Sequence, residues 1–242
     1  MLRLIVVLTS LSCALNLSAQ NVSLEVINQV KQLFTQINPD QNKNNTDHVY
    51  YLNYSVQTVA RDSLVTAPAD MNLKVWMNKS GLYLKCETFE LVQDKEDSYM
   101  IMPQRRTIFC SDGSLKKNNV SVINTGALRD SLLDHAELTR IEELENGYRK
   151  AIFEIADKRF KIDHISGLEV VYHPGKNWLE SVLLTYDTVH PLLSASLTFH
   201  EIEKDYQKDS PIPTSASEFI WASKNQVNPR FEGYRLINNK LK

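Results

Sequence analysis

Asn72-Leu-Lys-Val-Trp-Met-Asn-Lys-Ser-Gly81, Leu82-Tyr-Leu-Lys-Cys-Glu-Thr-Phe-Glu-Leu-Val-Gln-Asp94, Ser98-Tyr-Met-Ile-Met102 and Arg106-Thr-Ile-Phe-Cys110 decide the fold. The four segments alternate apolar with polar residues, and Asn78-Lys-Ser-Gly81, Asp94-Lys-Glu-Asp97 and Pro103-Gln-Arg105 break them. A side-chain period of two with turn residues between runs predicts an antiparallel meander with one wet face. A half-buried sheet is therefore the frame.

Working outward toward the N-terminus, His48 to Ala60 alternates Tyr50, Leu52, Tyr54 and Val56 against Tyr51, Asn53, Ser55 and Gln57, a long strand with an apolar face. Before it, Val26, Val30, Leu33, Phe34 and Ile37 recur at helical spacing within Val22 to Ile37, and Asn38-Pro39 stops the helix. The polar loop from Pro39 to Asp47 opens like a calcium loop with Asp40, Asn42 and Asn44. It then fails, because Asn45 stands where the turn glycine belongs and Tyr51 where a bidentate Glu is needed. Residues 1–20 read as a secretory signal peptide: Arg3, an apolar run from Leu4 to Leu15, and small residues before Ala19 and Gln20. The expected location is periplasmic or secreted, soluble after cleavage, since no run reaches the roughly 20 apolar residues a span needs.

Toward the C-terminus, Ser111 to Asn119 is loop, and Ala127 to Asp134 reads as a short helix with an apolar edge at Leu128, Leu132 and Leu133. A hairpin joins Leu138–Leu144 to Tyr148–Ile155 through Asn146-Gly147, a pair suited to strand twist. Strands over Gly167–Tyr172, Trp178–Tyr186 and Leu193–Ile202 follow, and Phe231 to Ile237 adds a last edge strand. Strand follows strand without helical crossovers, so antiparallel pairing is expected throughout. So many strands accumulate twist and cannot stay flat. The fold class is mainly β with added helices (α+β). A large curled antiparallel sheet forms a half-barrel, covered on its concave face by the N-terminal helix and the short central helix. Residues 21–242 form one domain, since no linker rich in Gly, Pro or Ser divides them.

This order of elements, with the meander Lys74-Val-Trp-Met77, Leu82-Tyr-Leu-Lys-Cys86, Tyr99-Met-Ile-Met-Pro103 and Thr107-Ile-Phe-Cys110, resembles the LolA/LolB-like lipoprotein-carrier superfamily. The resemblance covers most of the mature chain as a pattern of elements. It implies a lipoprotein carrier-like half-barrel of the cell envelope, engaged in transport. The carriers' Arg-Pro near the first hairpin is absent, and Pro68-Ala-Asp-Met71 stands there instead.

The net charge of −2, in a balanced mixture without a basic stripe, argues against nucleic acid as a partner. The six histidines form no close metal-ligand pair, and His200-Glu201 lacks the second His of a zinc protease. There is no Gly-x-Ser-x-Gly and no phosphate-cradling glycine loop, so neither enzyme activity, metal nor cofactor is expected. A hydrolase with a dispersed site stays as the third option. If the meander is consecutive, Cys110 lies opposite Tyr99, which lies opposite Val92; that leaves Cys86 out of disulfide range, and two buried thiols are expected.

What remains is apolar lining. Leu52, Tyr54, Val56, Val75, Met77, Leu84, Phe89, Leu91, Met100, Met102, Phe153, Leu197 and Phe199 are the candidate ligand-binding residues, with Leu82, Leu168, Val170 and Leu183 beside them. Such a set suits a non-enzymatic carrier holding lipid acyl chains or a lipoprotein between sheet and helices, with Ser63–Asp70 and Ser111–Val122 as a movable rim. The alternative is a cell-envelope protein-interaction module with a filled core and no small ligand.

Overall fold

A computed structural model describes residues 23–37, 48–62, 70–113, 132–155, 164–223 and 226–240. The signal segment, the Asn-rich loop, the central helix before Leu132, and the rim loops over 63–69 and 114–122 lie outside these residues.

Helix α1 covers residues 23–36. Strands β1 (Tyr50–Ala60), β2 (Met71–Met77), β3 (Leu82–Lys85), β4 (Glu90–Gln93), β5 (Asp97–Met102) and β6 (Thr107–Asp112) form the first meander. The second is β7 (Ala136–Glu143), β8 (Arg149–Ile155), β9 (Ile165–His173), β10 (Trp178–Tyr186) and β11 (Leu192–Glu203). A C-terminal segment adds α2 (Ala216–Ile220), β12 (Trp221–Ser223), β13 (Gln226–Val227) and β14 (Arg235–Asn238). Twelve strands make one sheet in the order β14-β6-β5-β4-β3-β2-β1-β11-β10-β9-β8-β7, while β12 and β13 pair separately. The sheet is curled and does not close into a barrel. No described helix is long and apolar enough to cross a membrane.

The seam of the sheet is β1 against β11, which joins the two meanders in antiparallel register from Tyr51 opposite Glu203 to Ala60 opposite Leu192. The Asn146-Gly147 turn is as expected: both residues have positive φ, at 59° and 78°, which matches the twist of the strands they connect. Cys110 pairs with Tyr99 and Tyr99 with Val92, the register anticipated from the sequence. Both described cysteines are free and buried, Cys86 in the core on one face of the sheet and Cys110 in the core on the other.

Four expectations are corrected. Leu82 to Asp94 is two strands, not one: Cys86 N donates to Phe89 O at 3.0 Å and closes a tight turn. That turn lets Leu84 and Leu91 face each other although their spacing is odd. The face expected to be wet is largely covered, because Tyr83, Val92, Tyr99, Ile101 and Ile108 are buried under α2, Phe231 and their neighbours, and Asn72, Lys74 and Lys85 are what stays exposed there. Leu183 points outward opposite Glu169, and its neighbours Val182 and Leu184 carry the buried face. Finally, β14 joins β6 in parallel, Arg235 opposite Thr107 through Asn238 opposite Cys110.

Candidate functional site

The inner face of the sheet is the face α1 covers. Val26, Val30, Leu33, Phe34 and Ile37 lie in one buried cluster with Leu52, Tyr54, Leu73, Val75, Leu84, Leu91, Phe153, Leu168, Val170, Leu197 and Phe199. The helical stripe exists because those five side chains recur every three to four residues, and alternation along each strand delivers the other half. Leu132 and Leu133, just before β7, belong to the same cluster.

The structure brings most of the expected lining residues together. Leu52, Tyr54, Val75, Leu84, Leu91, Phe153, Leu197 and Phe199 are buried members of the cluster, and Val56, Met77 and Phe89 pack against it half-buried. Met100 and Met102 stand apart: Met100 lies opposite Leu91 on the inner face but is 39% exposed, and Met102 is half-buried. Both sit on β5, farther along the sheet than the described part of α1 covers.

Two polar ties between α1 and the sheet lie at the Tyr50 end of the strands. Tyr50 Oη donates to the Gln36 carbonyl, and Tyr172 Oη lies 3.5 Å from Gln29 Oε1. A third tie, Lys31 Nζ to Asp134 at 2.5 Å, lies toward the other end, where β7 begins opposite Ile155. At that end Val56, Met71, Phe89, Leu138 and Ile155 are half-buried, as Met77, Ile141, Trp178 and Ile202 are toward the Tyr50 end. Met71, Leu138 and Ile155 were absent from the expected lining. They continue the alternation of their strands, since Met71 pairs with Val56 and Leu138 with Phe153, so period two could have found them.

The described buried charged residues, Glu90 and Asp97, both serve the other face. Glu90 accepts from Tyr83 Oη at 2.9 Å and from Arg230 at 2.5 Å, and Asp97 pairs with Lys240. Rings follow one another across this outer face from Tyr206 through Tyr51, Trp76, Tyr83, Phe219 and Phe231 to Tyr234, at centroid spacings of 4.9 to 5.9 Å. A cavity of about 350 Å³ with described lining also opens outward. It lies over Gly167, between Ile152, Glu154, Glu169 and Thr185. A Cβ at Gly167 would sit 2.6 Å from Thr185 Oγ1, which is why the side chain is missing there.

Chemically, the inner face can exclude water from an apolar chain and offers little else. Burial pushes the hydroxyls of Tyr50 and Tyr54 up, so both stay protonated. Among the described residues no three His, Cys, Asp or Glu side chains are placed to hold a metal.

No family model and no curated protein matches the chain. Solved structures similar to it include an uncharacterized conserved protein from Thermus thermophilus, at 6% identity and TM-score 0.42 over 84% of this chain and 97% of that one. They also include the Mycobacterium tuberculosis lipoprotein LppX, at 15% identity and TM-score 0.42 over 73% of this chain and 98% of that one. A LolA superfamily protein from Nitrosomonas europaea is similar at 9% identity and TM-score 0.30 over 78% and 94%. At TM-scores of 0.30 to 0.42 these likenesses assign neither a family nor a function to the chain.

Proposed function

We propose that this chain is an exported, non-enzymatic binding protein that holds lipid acyl chains, free or on a lipoprotein, between the inner face of its sheet and α1. The observation that carries the reading is the make-up of that face. It is a continuous apolar surface under one helix, with half-buried Val56, Met71, Phe89, Leu138 and Ile155 at a second end, the one away from Tyr50. An apolar chain entering at that second end would displace side chain from side chain, gaining about 0.8 kcal/mol per buried CH₂. No cofactor enters the scheme. Native mass spectrometry of the purified protein tests it, together with thermal shift on adding fatty acid or lipopeptide. Retained lipid and a raised midpoint are expected; apolar-chain-free protein with no shift sinks the reading.

The second reading, an envelope module that recruits a protein partner, is favoured by how tightly the same face is filled: Leu73 and Leu84 are 0% and 1% exposed. Pull-down of a defined partner by protein that stays lipid-free would select it.

A further inference from the structure

The sheet ends in two edge strands, β7 and β14, and they are guarded differently. β7 carries Glu137, Arg140, Glu142 and Glu143, and its ladder with β8 is broken by a bulge between Leu138 and Arg140. Charges and bulges keep a foreign strand from pairing with an edge. β14 has neither device at its centre. Its register with β6 runs unbroken from Arg235 to Asn238, and Leu236, 40% exposed, and half-buried Ile237 fill the middle. Arg235 and Asn239 turn their N–H groups to the carbonyls of Arg106 and Cys110, at 2.8 and 2.7 Å. Strand alternation therefore turns the N–H and C=O groups of Leu236 and Asn238 to the other side, where no described strand pairs with them.

Two further features say what fits beside that edge. On the inner face Met100, Phe109 and Ile237 stand in one row across β5, β6 and β14, and none of the three belongs to either core. At the Arg235 end the chain gathers exposed Arg105, Arg106 and Arg235, and exposed Glu232 is the acid adjoining them in sequence. Arg106 is engaged, donating to the Glu232 carbonyl at 2.9 Å and lying over the Tyr234 ring. Arg105 and Arg235 take part in none of the described ion pairs. In a chain of net charge −2 this is a local excess of positive charge. We infer that β14 is the docking edge for an extended segment of a partner protein. The segment adds a strand antiparallel to β14, lays an apolar side chain beside Ile237, and ends in acidic residues at Arg105 and Arg235. Antiparallel pairing is the more stable per residue and brings the segment's C-terminal end to the arginines. A second copy fits less well, because β14 against β14 is a four-residue ladder, short of the roughly 1,000 Å² a stable dimer buries.

This inference deepens the protein-partner reading above and rests on it, and its failure can be told from the failure of that reading. The full chain is titrated, by fluorescence anisotropy, with a fluorescein-labelled Thr-Val-Ile-Val-Glu-Glu peptide, with two copies N-methylated at its odd or its even residues, and with a copy carrying Lys for Glu. The parent peptide is expected to bind, one N-methylated copy alone to lose about tenfold, and the Lys copy to lose about threefold. Leu236→Pro, which removes an outward N–H of β14 and leaves its ladder to β6 intact, should lose about tenfold at an unchanged melting temperature. The N-methylated copies test the pairing without altering the protein. Equal binding of both N-methylated copies, or undiminished binding by Leu236→Pro, overturns the β14 edge and leaves the partner reading standing. A dimer that Leu236→Pro abolishes in light scattering gives the edge to a second copy and overturns the inference. Wild type that ignores the parent peptide overturns the edge, and if it also retains lipid in native mass spectrometry the partner reading falls with it.

Discussion

Two side chains show how differently the faces of the sheet are held. Phe153 is 1% exposed at the centre of the inner core, so Phe153→Ala should cost about 3–5 kcal/mol in urea unfolding, the transfer term plus a cavity. Asp94 works through polarity. One carboxylate oxygen accepts from the N–H groups of Glu96 and Asp97 at 2.8 Å, the other from Ala216 N at 2.8 Å. Burial pushes this carboxyl up, but the three N–H groups outweigh it and hold the group below its ordinary value of 3.8. A depressed folded-state value gives stability that is present above the unfolded value and lost as pH falls through the folded one. Asp94→Asn should therefore destabilise by about 1–2 kcal/mol at pH 7, and the gap to wild type should close toward pH 2. Urea midpoints at the two pH values check this; a constant gap would show that charge plays no part. Asp94 looked like an ordinary turn residue in the sequence, because its partner Ala216 lies 122 positions away.

At the scale of elements, the C-terminal segment behaves as a strap. Arg230 ties it to Glu90, whose side chain is 6% exposed, while Arg230 itself is 48% exposed and stacks over Phe219 and Phe231 at 5.3 and 5.1 Å. Arg230→Ala leaves a buried carboxylate with Tyr83 Oη as its remaining donor. The expected loss is about 1–3 kcal/mol, below that for a fully buried pair because the guanidinium is half in water. It should appear first as faster proteolysis after Glu203, with β7 to β11 still protected. The inner elements were legible because one rule sufficed: α1 by its stripe, β1 by alternation, the β7–β8 turn by Asn146-Gly147; β10 was found as a strand with its buried face misassigned at Leu183. Of the strap only the last strand was legible, as the edge strand over Phe231 to Ile237; α2 with five residues and β13 with two are too short for any period to register. A signal was nonetheless present. Trp76, Tyr83, Val92, Tyr99, Ile101 and Ile108 form a second apolar set on the face assigned to water, and a set that size demands a cover.

For the whole molecule, the sheet is shared between two cores, one under α1 and one under the strap. Ending the chain at Glu203 would bare Tyr83, Val92, Tyr99, Ile101 and Ile108 together. At roughly 1.5–3 kcal/mol each, the loss is about 8–15 kcal/mol, the size of a domain's entire stability. The truncated protein should bind a hydrophobic dye and self-associate, as light scattering would show; a monomer with native melting would mean that the strap is dispensable. The candidate lining was readable as a face. What the sequence left open was its extent, because Met100 and Met102 obey the same alternation as Leu91 yet lie where the described helix does not reach.

The seam between β1 and β11 also sets a schedule. Each meander can assemble from neighbours in sequence, but Tyr51 meets Glu203 only after both exist, and β14 reaches β6 later still. A chain delivered from its N-terminus would wait with one flank of β1 open, its Leu52, Tyr54 and Val56 ungathered, until the second meander arrives. Long-range pairing of this kind is slow, and the interval leaves an adhesive edge exposed. The protein's most vulnerable moment is therefore late in its own birth, when half the sheet is waiting for the other.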